Sequence, residues 1–178
     1  MALEDYLAKV KRCARCSYCK WIPLAQVKSW RFAQGCPSIV YKKFQSYSAG
    51  GRIAVVLSLL EGRSSYTDGL LDIVYQCQMD GSCDVADKVC RYDLEPLEVM
   101  RELRFKLVED GQFLPQHMPV IDNLRQEDNM MLKAKAERGK WSEGLGVKDL
   151  TRESAQVVFH GGCRVGFDEE LGKIGRIA

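Results

Sequence analysis

The sequence has no long apolar run. Its longest, Ile53 to Leu60, is broken by Ser58 and falls far short of a bilayer-spanning helix. The N-terminal stretch MALEDYLAKVKRC carries acids and no apolar segment of the signal-peptide kind, so the expectation is a soluble, cytoplasmic protein. Histidine is scarce. His117 and His160 are the only two, neither has Cys or carboxylate neighbours at ligand spacing, and both read as structural. Neither Gly50-Gly51 nor Gly161-Gly162 belongs to a G-x-G-x-x-G after a strand, which excludes a dinucleotide fingerprint. No Ser–His–Asp, Cys–His or paired-carboxylate set stands out, and there is no low-complexity tract. At 46% hydrophobic and 28% charged, the 178 residues have a globular composition. A pI of 8.1 without a recognition motif argues against nucleic acid as a partner.

What is abundant is cysteine: eight residues, at 13, 16, 19, 36, 77, 83, 90 and 163. Without a secretory signal, and with ample core, a disulfide scaffold is disfavoured. The triplet Cys13-x2-Cys16-x2-Cys19 would also strain adjacent disulfides. Thiolates are soft ligands for zinc, copper(I) or iron–sulfur clusters. Zinc sites usually take two close pairs. Three cysteines at two-residue spacing, closed by a distant Cys-Pro, follow instead the run that ligates [4Fe–4S] clusters, here with Cys36-Pro37 as the closing pair. Between Cys19 and Cys36 lies a 16-residue insertion whose Trp21, Trp30 and Phe32 can shield a cluster from water. Zinc and unliganded thiols stay as alternatives.

A second group, CQMDGSCDVADKVC, spans residues 77 to 90. Cys77, Asp80, Cys83 and Asp87 repeat the cluster spacing, with aspartate at two of the four places. Cys90 follows three residues after Asp87, on the same face if a helix runs there, so either can supply a closing ligand. Asp84 and Asp93 read as helix caps.

Taken together, CARCSYCK…GCP, YSAGGRIAVVLSLLEG, IVYQCQMDGSCDVADKVCRYDLEPLEVMRELR and VVFHGGCR resemble the iron–sulfur subunits related to heterodisulfide reductase. That group includes the iron–sulfur subunits of glycolate oxidase and anaerobic glycerol-3-phosphate dehydrogenase. The resemblance covers residues 10 to 108 and resumes at about 156. It implies a helical ferredoxin-type domain with two [4Fe–4S] clusters, relaying electrons between a flavoprotein and another, heterodisulfide reductase-like subunit of a hetero-oligomer. Such a chain carries electrons without a catalytic residue of its own, in the cytoplasm or held at the inner membrane through its partners. Carried over by position, one cluster takes Cys13, Cys16, Cys19 and a ligand from the second motif, Asp87 or Cys90. The other takes Cys77, Asp80, Cys83 and Cys36. The family has Cys where this chain has Asp80 and Asp87. Carboxylate is a harder ligand than thiolate, which leaves the second site open to an oxygen-ligated cluster, a three-iron cluster or none. In the family VVFHGGCR opens a domain with paired-cysteine (CCG) motifs. Here 15 residues follow Cys163 and no Cys-Cys pair occurs, which implies a chain cut short before that domain or half of a split protein.

The expected fold is therefore mainly α: a helical ferredoxin-like domain over 1–112, a helical linker over 113–155, and a partial CCG-type βα segment over 156–178. Leu3, Leu7 and Val10 share a helical face, and so do Ile53, Val56, Leu57 and Leu60, after Gly50-Gly51 and before Gly62. Thr67 caps a helix carrying Leu70, Leu71 and Val74 into Cys77. Pro96 opens a helix with Leu97, Met100, Leu103 and Leu107 on one face, ended by Gly111. Pro115 to Pro119 reads as a linker, Ile121 to Leu132 as a helix ending near Gly139, and 139–150 as a surface loop with Trp141. Met118, Met130 and Met131 read as core or interface filler. Gln156 to Phe159 reads as a strand, Gly161-Gly162-Cys163 as a tight turn, and a helix begins near Phe167.

Charge is lopsided. Residues 1–50 hold nine Lys and Arg against two Asp and Glu, net +7, and the remainder is net −5. Lys9, Lys11, Arg12, Arg15 and Lys20 either offset the negative charge of a thiolate-ligated cluster or form a docking face for an acidic partner. Two other readings compete with electron transfer. One is a zinc-bound structural or regulatory module without redox activity. The other has Cys163 completing a site on another subunit.

Overall fold

The computed structural model describes residues 2–87 and 90–177, with 86 and 87 by backbone only. The chain forms two compact units, Met1–Phe113 and Leu114–Ala178. It is mainly helical, and no strand forms among the described residues.

In the first unit a 3-10 turn over Leu3–Tyr6 runs into α1 (Leu7–Lys11). Next come α2 (Pro37–Lys42), α3 (Ala49–Leu60), α4 (Asp68–Tyr75), α5 (Ser82–Asp87) and α6 (Pro96–Glu109). Local chemistry sets the ends. The Thr67 hydroxyl accepts from Leu70 N–H at 3.2 Å, satisfying one orphan donor at the start of α4. Pro96 sits in the first turn of α6, where Asp84 Oδ1 accepts from Leu97 N–H at 3.0 Å; Asp84 lies within α5, so it serves another helix's start across the fold and not an N-cap position of its own. Gly111 takes φ +70° just beyond α6, a conformation that costs glycine least.

The apolar faces read from periodicity meet in one core. Val10 of α1, Val56 of α3, Val74 of α4, and Val99, Leu103 and Leu107 of α6 are all fully buried there. Burial of each such side chain stabilises the unit by roughly 1.5–3 kcal/mol. α3 is the central post, packing on both α1 and α6.

One boundary differs from expectation. Gly50 and Gly51 lie inside the first turn of α3, not ahead of it, because Ser48 caps the helix by accepting from Gly51 N–H at 3.1 Å. The glycine is required by proximity. A Cβ at 51 would stand 2.1 Å from the Gln45 carbonyl oxygen and 2.6 Å from Ser46 Cα.

The second unit carries α7 (Met118–Glu127), α8 (Gly162–Phe167) and α9 (Glu169–Ile177). Pro115–His117 forms a 3-10 turn and Pro119 already stands within α7, so the expected linker is largely helix. Nor does that helix reach Gly139. It stops at Asp128, which is left-handed, because the fully buried Asn129 amide claims the backbone that follows. Asn129 Nδ2 donates to the Glu127 and Lys133 carbonyls at 2.9 and 2.7 Å, and its Oδ1 accepts from Met131 N–H at 3.0 Å. This is an asparagine competing successfully with helix. The strand expected at 156–159 does not form: Val157, Val158 and Phe159 are exposed, and β propensity without a pairing partner makes no strand. Gly162 and Cys163 begin α8 instead of closing a turn. Trp141, expected on a loop, stacks edge-on with Phe159 at 5.7 Å. No helix among the described residues is long and apolar enough to cross a membrane.

Replacing Gly51 with Ala should lower the stability of the first unit by about 1–3 kcal/mol, the usual cost of overpacking against backbone. Urea unfolding followed by circular dichroism checks this. Gly62→Ala, where a Cβ meets nothing within 4 Å, strains only its φ of +67° and should cost less.

Candidate metal centre

Helix α1 ends at Lys11, and the chain then turns irregularly through Cys13 to Ser17, with Arg15 and Ser17 both in the left-handed region (φ 56° and 65°). Two such residues in three let the chain coil tightly enough for Cys13, Cys16 and Cys19 to line one cavity of about 30 Å³. Cys90, 71 positions further on, lines the same cavity, with Gly50, Ile53, Tyr92, Leu94 and Pro96 completing its wall. Four thiols from two distant segments therefore surround one space. The other candidate for the closing place, Asp87, has its side chain outside the described residues.

Within this group the thiols differ. Cys16 is exposed and Cys19 is not. Burial pushes the Cys19 thiol up to about 11, and the neighbouring Cys13 and Cys16 add to this. A hydrogen bond from Gly50 N–H acts the other way. That donor belongs to the first turn of α3, where backbone N–H groups have no partner within the helix. A Cβ at Gly50 would stand in ordinary contact with the Cys19 sulfur, at 3.4 Å.

A second cavity, of about 20 Å³, is lined by Cys36, Cys77, Asp80 and Cys83, together with Ala49, Arg52, Gly81 and Met100. Cys36 is buried as the N-cap of α2. Its sulfur is 3.3 Å from the Ser38 hydroxyl, which donates to the Tyr47 carbonyl at 3.1 Å. Cys77 follows α4 directly, and the Arg104 Nη2 donates to its carbonyl at 2.6 Å. Burial depresses the Arg104 guanidinium, and its Nε is buried without a partner. Left-handed Met79 and Gly81 turn the chain so that Asp80 and Cys83 face the same space, and Asp80 Oδ1 accepts from Ser82 N–H at 2.8 Å. Burial, then the Asp84 carboxylate, pushes the Cys83 thiol far up. Cys77, Cys19 and Asp80 contribute as well, so the two cavities are electrostatic neighbours.

The insertion between Cys19 and Cys36 plays a different part from the one expected. Ile22 N–H donates to the Ala33 carbonyl at 2.7 Å and Gly35 N–H to the Lys20 carbonyl at 3.2 Å, around a bridge between Trp21 and Gln34. The segment thus doubles back and returns Cys36 beside the turn that holds Cys19. Trp30 and Phe32 are exposed and line neither cysteine cavity. Trp21 packs edge-on against Trp30 at 6.1 Å, and with Tyr18, Ile22 and Leu24 they shape an apolar groove of about 800 Å³ beside Cys16.

Among the described residues no group of three or more His, Cys, Asp or Glu side chains is arranged to hold a metal ion directly. The thiols and the carboxylate ring two cavities and do not meet at one point. As a donor set they fit an iron–sulfur group: four soft thiols at the first cavity, three thiols and a carboxylate at the second. Cys163 belongs to the second unit, with no other cysteine there and the Arg138 guanidinium 4.0 Å from its sulfur. Sequence reasoning missed Arg52. Its one signal was a lone charge at the head of an otherwise apolar helix.

Comparison with protein-family models, with curated proteins and with solved structures finds no match.

In metal-free, reduced protein at pH 8, iodoacetamide should modify Cys16 well before Cys19. A thiol near 11 is thiolate only about one part in a thousand at that pH, and alkylation needs the thiolate. Peptide mass spectrometry over a time course measures the order, which should narrow as pH rises toward 11.

Proposed function

We propose that this chain is an electron-transfer iron–sulfur protein, a non-catalytic subunit of a larger oxidoreductase. The observation that carries the reading is the meeting of Cys13, Cys16 and Cys19 with Cys90 around one cavity, beside a second lined by Cys36, Cys77, Cys83 and Asp80. The resemblance to heterodisulfide reductase-related subunits agrees with this partition position by position. A [4Fe–4S] cluster bound by such thiolates supplies a one-electron couple whose potential depends on net charge, hydrogen bonds to sulfur and solvent exposure.

The chain's own residues would set those three quantities. The Gly50 N–H beside the Cys19 sulfur favours the charged form of that thiol. Ile53, Leu94 and Pro96 keep water from the inner side of the first cavity, while Cys16 opens to the surface. The net charge of +7 on residues 1–50 favours an acidic partner. A flavoprotein on one side and a heterodisulfide reductase-like subunit on the other are the partners this reading assigns. Adjacent cavities make a short relay. With Asp80 as a harder ligand, the second centre should bind iron less firmly than the first.

Protein purified anaerobically, or reconstituted with iron and sulfide, should be brown, with broad visible absorption that bleaches on adding dithionite. Its iron and acid-labile sulfide should be near equimolar. Stoichiometric zinc with no sulfide would overturn the reading. Cys13→Ser and Cys90→Ser should each remove most of the iron of the first centre. Asp80→Cys should raise total iron or alter the reduced-state EPR spectrum, and no change in either would remove position 80 from the ligand set.

A further inference from the structure

Arg52 lies in the first half of α3 and is 1% exposed, the largest fully buried side chain described. Its Nε donates to the Ile73 carbonyl at 2.8 Å and its Nη2 to the Ser38 hydroxyl at 2.9 Å. The same hydroxyl contacts the Cys36 sulfur, and Arg52 lines the cavity shared by Cys36, Cys77, Asp80 and Cys83. A guanidinium stays charged in a protein, and a buried charge is normally paired. Yet among the described residues no carboxylate lies within ion-pair distance of Arg52. Asp80, on the same cavity, is exposed and already accepts from Ser82 N–H. A second cation stands behind Cys77, where Arg104 holds the carbonyl. Of the two, Arg52 alone is buried and lines the cavity, while the half-buried Arg104 reaches only the Cys77 backbone.

We propose that the second cavity is built for a net-negative iron–sulfur centre and that Arg52 is its buried counter-cation, a positioning residue that favours loading and raises the reduction potential. This rests on the iron–sulfur reading above and adds the charge partner of the site. Three thiolates and a carboxylate outweigh the positive charge of an iron–sulfur core, so the loaded centre is an anion. Uptake of one electron from a reduced redox protein, or from dithionite in the test, makes it more negative without breaking a bond. A fixed positive charge in a poorly screened interior stabilises the reduced form more than the oxidised one. The Ser38 bond makes the guanidinium part of the wall that also holds Cys36, so charge and ligand are positioned together.

The experiment is an EPR-monitored redox titration, with iron and sulfide counting, on the reconstituted wild-type chain, Arg52→Gln and Arg52→Lys. Cys13→Ser serves as the background in which only the second centre contributes. Arg52→Gln should lower iron retained by the second centre at least twofold. In the fraction still loaded, it should lower the potential by about 59 mV, a tenfold shift in a one-electron equilibrium. Arg52→Lys, which keeps the charge, should recover most of both. A merely structural role would lower the melting temperature of Arg52→Gln while leaving the potential unchanged, and that result overturns the proposal. If Arg52→Gln does not fold, Arg52→Lys decides: retained iron at near wild-type potential supports the proposal, and loss of the second centre's iron overturns it. Wild type without iron and sulfide would overturn the functional reading itself. A loaded wild type with an unmoved Arg52→Gln potential overturns only the role of Arg52.

Discussion

Everything at the cysteine sites depends on how closely the first turn of α3 seats against the chain before it. Successive residues of that turn serve opposite sides: Ala49 and Arg52 face the cavity of Cys36, Cys77 and Cys83, while Gly50 and Ile53 face that of Cys13, Cys16, Cys19 and Cys90. The turn is a partition wall one helix thick. Its position is set by the absence of a Cβ at Gly51, which lets the helix rest on the Gln45 carbonyl, and by the Ser48 cap that begins it there. Gln45 ties the same region to the cysteine loop, donating from its amide to the Ser17 hydroxyl and, at 3.0 Å, to that of Ser48.

A consequence of a shared wall is that polar demands on its two faces are met by different means. On one face a backbone N–H, an orphan of helix geometry, stands beside a sulfur and favours its charged form. On the other a full side-chain charge is buried and held by a carbonyl and a hydroxyl. The first is available at any helix start with a small residue. The second requires a particular residue and strong support, since burying a charge is costly unless something of opposite sign answers it.

Much of the first unit was legible because core packing follows periodicity. Leu103 and Leu107 of α6 are buried where a 3.6-residue repeat places them, and Thr67 caps α4 as its type and place suggest. Both cysteine groups were legible from spacing, whereas their division between two sites came from the family resemblance, which left the closing place of the first to Asp87 or Cys90. The parts that were not legible depend on contacts distant in sequence. Gly50-Gly51 looks like a helix breaker until the Gln45 backbone is seen beside it. Arg52 looks like a surface charge until Ser38 and Ile73 close over it. In the second unit Val157 and Phe159 have strand chemistry, but among the described residues no segment pairs with them, and Asn129 ends a helix that apolar spacing alone would continue.

The doubled-back segment between Lys20 and Gly35 leaves and rejoins the body at nearly one place, fastened there by two backbone hydrogen bonds. Its ends are therefore decoupled from its middle. Entropy charges little for extra length in such a loop, about 0.6 kcal/mol for each doubling. Residues 23–32 are in that sense the stretch where added length costs the scaffold least.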